Sequence, residues 1–322
     1  MPLVLGLQIP DDQLARLTRT GFGEVPELLD ASGVGYIVLG ADRRAAGGAS
    51  LNPALLGTVF ARRTRGLGIV AAAAPQRDHP FNIARRLASL DHLTRGRAGW
   101  LALRSDAHLA LGATRHGSWA PAGGPVGAEL LADAVTAARA LWRTWPLESL
   151  TRASAAIDRT PDVEVRYADH TGAFATTGPL NVPTTPQGEP IVCWEYEPGD
   201  SGHLGVTDIA FVTPRDRAVA VPADPAVTTH VRLHGESARL RSRIAELADD
   251  AWGVTGVLVR IGLAELPGFL DTTVPALADA GLIRLRAATG AAGDAPTLRD
   301  HLGIPRRPDP DPLRFRAVYA PA

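Results

Sequence analysis

One segment, residues 79–105, constrains the fold of this chain more than any other. Pro80 stands where a helix can begin, because the first turn of a helix leaves its backbone N–H groups unpaired. Apolar side chains then recur at helical spacing as far as a Gly-Arg-Ala-Gly turn. The apolar run 100–103 after that turn indicates a short buried strand, which ends at Arg104. Helix, tight turn and buried strand together predict one step of an α/β protein.

The same alternation runs through the rest of the chain. We predict strands at 3–9, 36–39, 67–73, 190–194, 208–212, 217–221 and 254–261 and helices at 25–31, 51–63, 131–145, 236–251 and 266–282. Residues 230–233 fit either a further strand or the approach to a helix. Only four residues, 213–216, separate 208–212 from 217–221, too few for a crossover helix. The number of strands and helices fits a single-domain (β/α)8 TIM barrel spanning residues 1–322, in which the sixth or seventh β/α unit is incomplete.

Composition excludes several classes of protein. The chain has 322 residues, a net charge of −1 and no lysine among its 33 basic residues. Without a basic block, nucleic acid and anionic membranes are not expected as partners. The N-terminus does not resemble a signal peptide, and no apolar run reaches the ~18 residues of a membrane span. A lone cysteine, Cys193, excludes an internal disulfide. We therefore expect a cytoplasmic protein.

Three segments carry a resemblance to a known family. They are HPFNIARRLASLDHLTRGRAGW from His79, GPLNVPTTPQGEPIV at 178–192, and the closing pair TVPALADAGLIR at 273–284 and TLRDHLGIPRRP at 297–308. Together they resemble the luciferase-like flavin monooxygenases, in the branch that oxidises nitrilotriacetate, dibenzothiophene sulfone and long alkanes. The matches are in order and spread over most of the chain. They support a shared fold more strongly than a shared activity.

The resemblance implies a set of features for this chain. It implies a luciferase-like barrel that uses reduced FMN, supplied by a flavin reductase, on a small-molecule substrate. It implies an insertion at 147–189 that lies over the barrel mouth. A helical segment of the family is missing around 222–235, which leaves that flank open or covered by a partner chain. It also implies a homodimer formed through the helices at 51–63 and 79–93.

The resemblance also assigns candidate cofactor-binding residues at the strand ends. Asp42 matches an aspartate that binds flavin in the family. Ser105 matches the last residue of the family motif VTS, and Arg104 replaces its threonine. The phosphate-binding turn is replaced by WEYEPGDSG at 194–202, where Ser201 is the remaining hydroxyl candidate. Other family ligand positions carry apolar side chains here, at Ala72, Ala74, Leu101 and Ala128.

These substitutions weaken the expected flavin site. Glu195 and Glu197 would direct carboxylates toward a phosphate dianion, which repels them. Arg104 can offset this repulsion by pairing with Glu195 or by taking the phosphate itself. We expect Arg104 and Glu195 to face each other across the phosphate position. We also expect Gln8, Asp42, Arg104 and Glu195 to open into one cavity, and FMN binding to be weak or absent.

Three functions from different classes remain open. The first is a reduced-flavin-dependent monooxygenase of bacterial secondary metabolism. The second is a flavin-independent cyclase, isomerase or hydrolase on the same barrel, with His108, Glu195 and Asp42 as catalytic acid–base residues. The third is a non-catalytic partner subunit. No histidine spacing suggests a metal site, so no metal is expected.

Overall fold

Eight parallel strands close into a barrel. This computed structural model describes residues 1–44, 49–107, 119, 124, 126–149, 164–214, 224, 226–235, 237–248, 253–287, 296–308 and 315–319. The strands are β1 (Leu3–Gln8), β2 (Tyr36–Leu39), β3 (Gly68–Ala73), β4 (Ala98–Ala102), β5 (Ile191–Glu195), β6 (Ile209–Val212), β7 (Thr228–His234) and β8 (Gly256–Arg260). Each strand pairs with the next, and β8 pairs back with β1. A short strand, β9 (Ile283–Arg284), also joins the start of β1. The predicted (β/α)8 barrel is confirmed.

Helices surround the barrel. They are α1 (Asp11–Arg16), α2 (Val25–Ala31), α3 (Pro53–Arg63), α4 (Pro80–Thr94), α5 (Gly127–Trp142), α6 (Ser237–Leu247), α7 (Leu266–Gly268), α8 (Val274–Asp279) and α9 (Leu298–Leu302). As predicted, Pro80 lies in the first turn of α4, and His79 caps it by accepting the Phe81 N–H at 3.2 Å. A π-helical turn, Phe269–Thr273, joins α7 to α8. Within the described ranges, no helix is long and apolar enough to cross a membrane.

Along each strand, every second side chain points into the barrel interior. The side chains between them point outward and pack against the helices. In the interior, the Tyr36 hydroxyl lies 2.7 Å from Nδ1 of His230 on β7. Burial, with Arg284 nearby, lowers the pKa of His230 to about 3, so its imidazole is neutral. Glycine is required opposite this pair, since a Cβ on Gly6 would lie 2.2 Å from the Tyr36 ring. The pair is therefore a satisfied polar contact inside an apolar core.

The position of β7 corrects the sequence-based account of the late strands. β6 pairs directly with β7, so the barrel closes without residues 217–221, which were predicted as a strand and lie outside the described residues. The range 222–235, where a family segment was expected to be missing, contains β7. Residues 230–233 are therefore strand. The pattern was ambiguous because inward-facing His230 and Arg232 interrupt the apolar residues of this strand.

The described part of the segment between α5 and β5 contacts α5 and the start of α4. The resemblance placed the insertion at 147–189 over the barrel mouth, and this placement stays a prediction. Within residues 164–190, His170 Nε2 and the Phe174 N–H bond to Asp133 of α5, at 2.9 and 2.8 Å. The Phe174 ring also lies 5.8 Å from that of His79, which precedes α4.

Two tryptophans at the end of α5 hold this segment in place. Trp142 is 1% exposed, and its indole N–H donates to the Ala84 carbonyl at 2.9 Å. Trp145 donates to the Ser149 hydroxyl at 2.7 Å, and its carbonyl accepts the Thr184 N–H at 2.8 Å. The prediction that both are core or insertion-contacting residues is confirmed.

Charged residues are buried at the N-terminal end of the barrel. Asp208, directly before β6, accepts hydrogen bonds from Arg139 at 2.9 Å and from the Val192 N–H at 2.8 Å. Arg299 of α9 lies 3.5 Å from the same carboxylate, and Arg139 also pairs with Glu189. Burial alone would raise the pKa of Asp208, but Arg139, Arg299 and the backbone donor lower it to about 2. We call Arg139, Glu189, Asp208 and Arg299 the base network, because they lie at the N-terminal end, or base, of the barrel.

Candidate active site

Inward-facing side chains change from apolar to polar and charged at the C-terminal ends of several strands. In a TIM barrel this face is the one on which active sites are built. One group comes from the ends of β1, β5, β7 and β8 and from the helical turn 41–44 that follows β2. We call it the rim network, and its members are Gln8, Asp42, Arg44, Glu195, Arg232 and Arg260.

Glu195 bridges two arginines of the rim network. One carboxylate oxygen accepts from Arg44 at 3.1 Å, and the other accepts from Arg232. The Arg232 side chain is 10% exposed and the Arg44 side chain 49% exposed. Burial, followed by the charge of Arg44, lowers the pKa of Arg232 to about 10. Arg232 therefore stays protonated at neutral pH, in a position where its charge is partly desolvated.

Asp42 is the second carboxylate of the rim network. It accepts from the Gln8 amide at 3.0 Å, from Arg260 at 3.1 Å and from the Asp11 N–H at 3.0 Å. Gln8 is buried, and its amide oxygen accepts from Arg232 at 2.6 Å. Hydrogen bonds thus run without interruption from one side of the mouth to the other. Three of the four side chains expected to share a cavity, those of Gln8, Asp42 and Glu195, belong to this one network.

Asp11 is a titratable group beside the rim network. Its carboxylate accepts from the Gly40 N–H and from the Ser50 hydroxyl, each at 3.1 Å. Burial, together with the charge of Asp42, raises the pKa of Asp11 to about 6. A carboxyl group with such a pKa can exchange protons near neutral pH, which suits general acid–base catalysis. Sequence reasoning missed Asp11 because acidic residues are ordinary at the start of a helix.

Arg104 lies apart from the rim network. Arg104 follows β4 and is an even number of residues from Trp100, whose side chain packs outward against the helices. The side chain of Arg104 therefore also lies on the outer side of the barrel wall. Its guanidinium pairs with Asp200 and lies 5.9 Å from the Trp194 ring centroid. The expectation that Arg104 faces Glu195 is therefore wrong. On β5 it is Trp194 that points outward, whereas Glu195 points into the barrel.

The turn at 194–202, which replaces the family's phosphate-binding turn, is closed by its own side chains. Asp200 accepts from the Trp194 indole at 3.1 Å, from the Glu197 N–H at 2.8 Å and from Arg104. Asp200 is 2% exposed. A phosphate needs such donors, and a fixed carboxylate beside them repels it. The residues of this turn do not fit the phosphate of FMN.

The remaining candidate residues give this turn no further anion ligands. Ser105 is exposed, and the Ser201 hydroxyl, also exposed, lies 3.2 Å from that of Tyr196. Ala72 and Leu101, at positions where the family carries flavin ligands, are buried and apolar. His108 lies outside the described residues. Across the described parts of the chain, no group of histidine, cysteine, aspartate and glutamate could hold a metal ion.

Three arginines of the rim network were missed by sequence reasoning. Arg44 follows Asp42 closely, and Arg232 and Arg260 occupy inward positions on β7 and β8. The available signal was a charged residue at inward parity near the end of an otherwise apolar strand. Using that signal requires the correct bounds of β7, which the sequence left open.

A cleft also lies beside the rim, between the start of α3 and α4. It has about 460 Å³ of open space, which includes solvent at its mouth, and its wall contains residues 71–73 of β3 and Ala74 after that strand. Its charged lining is already paired, since Arg43 bonds to Asp106 at 2.7 Å and Arg86 bonds to Asp78. The rim network is therefore the stronger candidate site.

Comparison with known sequences identifies the family. The sequence profile described as luciferase-like monooxygenase matches residues 10–198, more than half of the chain. This chain belongs to the luciferase-like monooxygenase family. The resemblance inferred from the three sequence segments is confirmed.

Three curated relatives match about half of this chain. N-acetyl-S-(2-succino)cysteine monooxygenase of Bacillus subtilis is 30% identical over 156 residues, 47% of this chain and 34% of that protein. One of the subunits of pristinamycin IIA synthase, from Streptomyces pristinaespiralis, is 31% identical over 167 residues, 50% and 53% of the two chains. Nitrilotriacetate monooxygenase component A of Aminobacter aminovorans is 30% identical over 155 residues, 44% and 31%. The match thus spans 31% to 53% of the length of these relatives.

Solved structures show the same fold over almost the whole chain. A long-chain alkane monooxygenase superposes with a TM-score of 0.71 and 15% identity, covering 94% of this chain and 96% of that one. EDTA monooxygenase from Chelativorans sp. BNC1 gives 0.65 and 17%, covering 95% and 99%. At these identities the likeness concerns the fold alone.

Proposed function

We propose that this chain is part of a flavin-dependent monooxygenase, an oxidoreductase that oxidises a small organic molecule in bacterial secondary metabolism. The observation that carries the proposal is membership of the luciferase-like family over residues 10–198. The rim network supports it, because it gathers charged side chains at the face where barrel enzymes place their chemistry. The relatives named as monooxygenases point to the same class.

We further propose that the flavin, which a separate reductase supplies, is held by a second protein chain. The turn at 194–202 argues against flavin phosphate binding in this chain, since Asp200 already takes the donors there. Two of the relatives are named as one subunit of a synthase and one component of a monooxygenase, which favours an assembly of several chains. In such an assembly, this chain contributes the rim network to the substrate-binding site. We expect the assembly to work in the cytoplasm.

The predicted dimer remains part of this proposal. Its expected interface, 51–63 with 79–93, corresponds to α3 and α4. Leu55 and Leu93 on these helices are 66% and 60% exposed. Burying apolar surface at ~25 cal/mol per Å² would favour association through this face. Light scattering at micromolar concentration tests it, and a monomer would contradict it.

The experiment for the main proposal measures the incorporation of labelled oxygen from O2 into small molecules of a host extract, with NADH, a flavin reductase and FMN present. Oxygen consumption does not serve, because free reduced FMN also takes up one O2 for each NADH oxidised. We expect no labelled product with the purified chain alone, and labelled product when the chain is tested together with a flavin-containing partner chain purified with it from its host. Labelled product from the chain alone would contradict the need for a second chain. The same yield with and without the chain in the assembly would contradict the oxidoreductase assignment.

A flavin-independent enzyme is the second candidate, and Asp11 is the observation that favours it. A carboxyl group with a pKa of about 6 beside Asp42 provides acid–base chemistry without any cofactor. This candidate predicts turnover of a substrate in the absence of flavin and oxygen, lost in Asp11→Asn. Asp12→Asn is the matched control, because Asp12 is more exposed and pairs with Arg16. Flavin-free turnover that survives Asp11→Asn would remove Asp11 from the mechanism.

A further inference from the structure

The rim network has more positive than negative charge. It contains three arginines, at 44, 232 and 260, and two carboxylates, at 42 and 195. Gln8 contributes no charge, so these six side chains have a formal excess of one positive charge, apart from the neighbouring carboxyl group of Asp11. A partly desolvated cluster of this kind is stabilised by an added anion.

The two ends of the network are guanidinium groups with unused donors. Arg44 and Arg260 are 49% and 46% exposed at their side chains. Within the residues that the structure describes, each donates one hydrogen bond to a side chain, Arg44 to Glu195 and Arg260 to Asp42. A guanidinium has five N–H donors in a planar fork that matches a carboxylate. Each end can therefore take one further carboxylate group.

The middle of the network links these two ends. In the chain of hydrogen bonds Arg232 lies between them, bonded to Glu195 and Gln8, and it is mostly buried. The charges of Arg44 and Arg260 both lower the pKa of Arg232, after burial, because each repels the charge of Arg232. An anion that reached both exposed ends would relieve this repulsion.

The opposite side of the rim is apolar. At the ends of β3 and β4, inward positions are occupied by Ala72, Ala74, Leu101 and Leu103, all buried. These buried side chains offer no polar contact, so a ligand of this rim needs anionic groups at two points, one for each exposed guanidinium. We infer that the rim network binds a small organic dicarboxylate, with one carboxylate on Arg44 and the other on Arg260. This inference rests on the proposed function, because it names the substrate class for the same rim.

The test is calorimetric titration of the purified chain with succinate, in the absence of flavin, reductase and NADH. We expect binding to the unaltered chain, about tenfold weaker binding in Arg44→Gln and in Arg260→Gln, and a greater loss in the double variant. Arg316→Gln is the matched control, since Arg316 is an exposed arginine that pairs with Asp169. We expect it to leave the affinity unchanged. Thermal melting of every variant checks that the fold is intact.

Several outcomes would overturn the inference. They are no binding of succinate up to about 10 mM, equal binding of the monocarboxylate butyrate or of neutral succinamide, and an equal loss of affinity in Arg316→Gln. Displacement of succinate by micromolar FMN would also overturn it, because the arginines would then hold a flavin phosphate. The titration needs neither flavin nor oxygen. Failure to bind succinate would thus leave the monooxygenase proposal intact, and failure of the oxidation assay would leave the anion site intact.

Discussion

The two ends of this barrel carry arginine–carboxylate networks of similar composition and very different exposure. The base network is closed, with side chains 2–9% exposed around Asp208 and Glu189. The charged side chains of the rim network range from 10% exposed at Arg232 to 49% at Arg44. A buried network acts on the stability of the fold, because removing one of its charges leaves the opposite charge buried and uncompensated. An open network with unused donors is available to a ligand. Burial, more than residue type, separates the two roles.

The family resemblance reaches both ends of the barrel. Glu189 lies in the segment at 178–192 and Arg299 in the segment at 297–308, and both belong to the base network. At the N-terminal face of a TIM barrel, such residues serve stability. At the opposite face, the resemblance predicts polar flavin ligands where this chain has buried apolar residues, as at Leu101. The resemblance therefore predicts the fold, and the site follows from this chain's own residues.

The largest expected effect is at the base. Asp208→Asn removes the charge that compensates Arg139 and Arg299, and we expect a loss of ~3–5 kcal/mol in the free energy of unfolding. Urea denaturation measures it. Asp169→Asn is the matched control, because Asp169 pairs with Arg316 at the surface, and it should leave the unfolding midpoint unchanged. Equal midpoints for the two variants would contradict a structural role for the base network.

The buried pair of Tyr36 and His230, which lies in the barrel interior, predicts that the stability of the fold depends on pH. The pKa of His230 is about 3 in the folded chain, below its value of 6.5 in the unfolded chain, so the unfolded state binds the proton more readily. Its contribution is fully present above pH 6.5 and is lost as the pH falls toward 3, at up to ~1.4 kcal/mol per pH unit. His230→Gln should flatten this slope in urea denaturation, whereas His203→Gln at a surface turn should not. An unchanged slope in His230→Gln would mean that other groups carry the dependence.

The smallest effect on stability is expected at the rim. Glu195→Gln removes a partly exposed partner of Arg44 and Arg232, and we expect a loss below ~2 kcal/mol in the free energy of unfolding. The same change frees both arginines for an added anion, so succinate should bind more tightly in calorimetry. A loss as large as that of Asp208→Asn, without tighter succinate binding, would place Glu195 with the base network.

The sequence predicted much of the barrel because each strand carries its own pattern. The bounds of β2 were predicted as they stand. Gln8, Asp42 and Glu195 were predicted to lie close together, because each lies at or just after the C-terminal end of a strand. Partners across the barrel depend on strand register, which no local pattern records. For that reason Arg232 was missed, and Arg104 was assigned to the wrong side of the barrel wall.

The central claim is that this chain does not bind the phosphate of flavin at the turn 194–202, where Asp200 already takes the donors. Calorimetric titration of the purified chain with FMN and with reduced FMN tests it most directly. The loss of three or four hydrogen bonds, at ~1–3 kcal/mol each, shifts a micromolar ligand to millimolar or weaker. We therefore expect no micromolar binding of either form. Micromolar affinity would contradict the claim, and its loss in Arg104→Ala would show that Arg104 had taken over the phosphate.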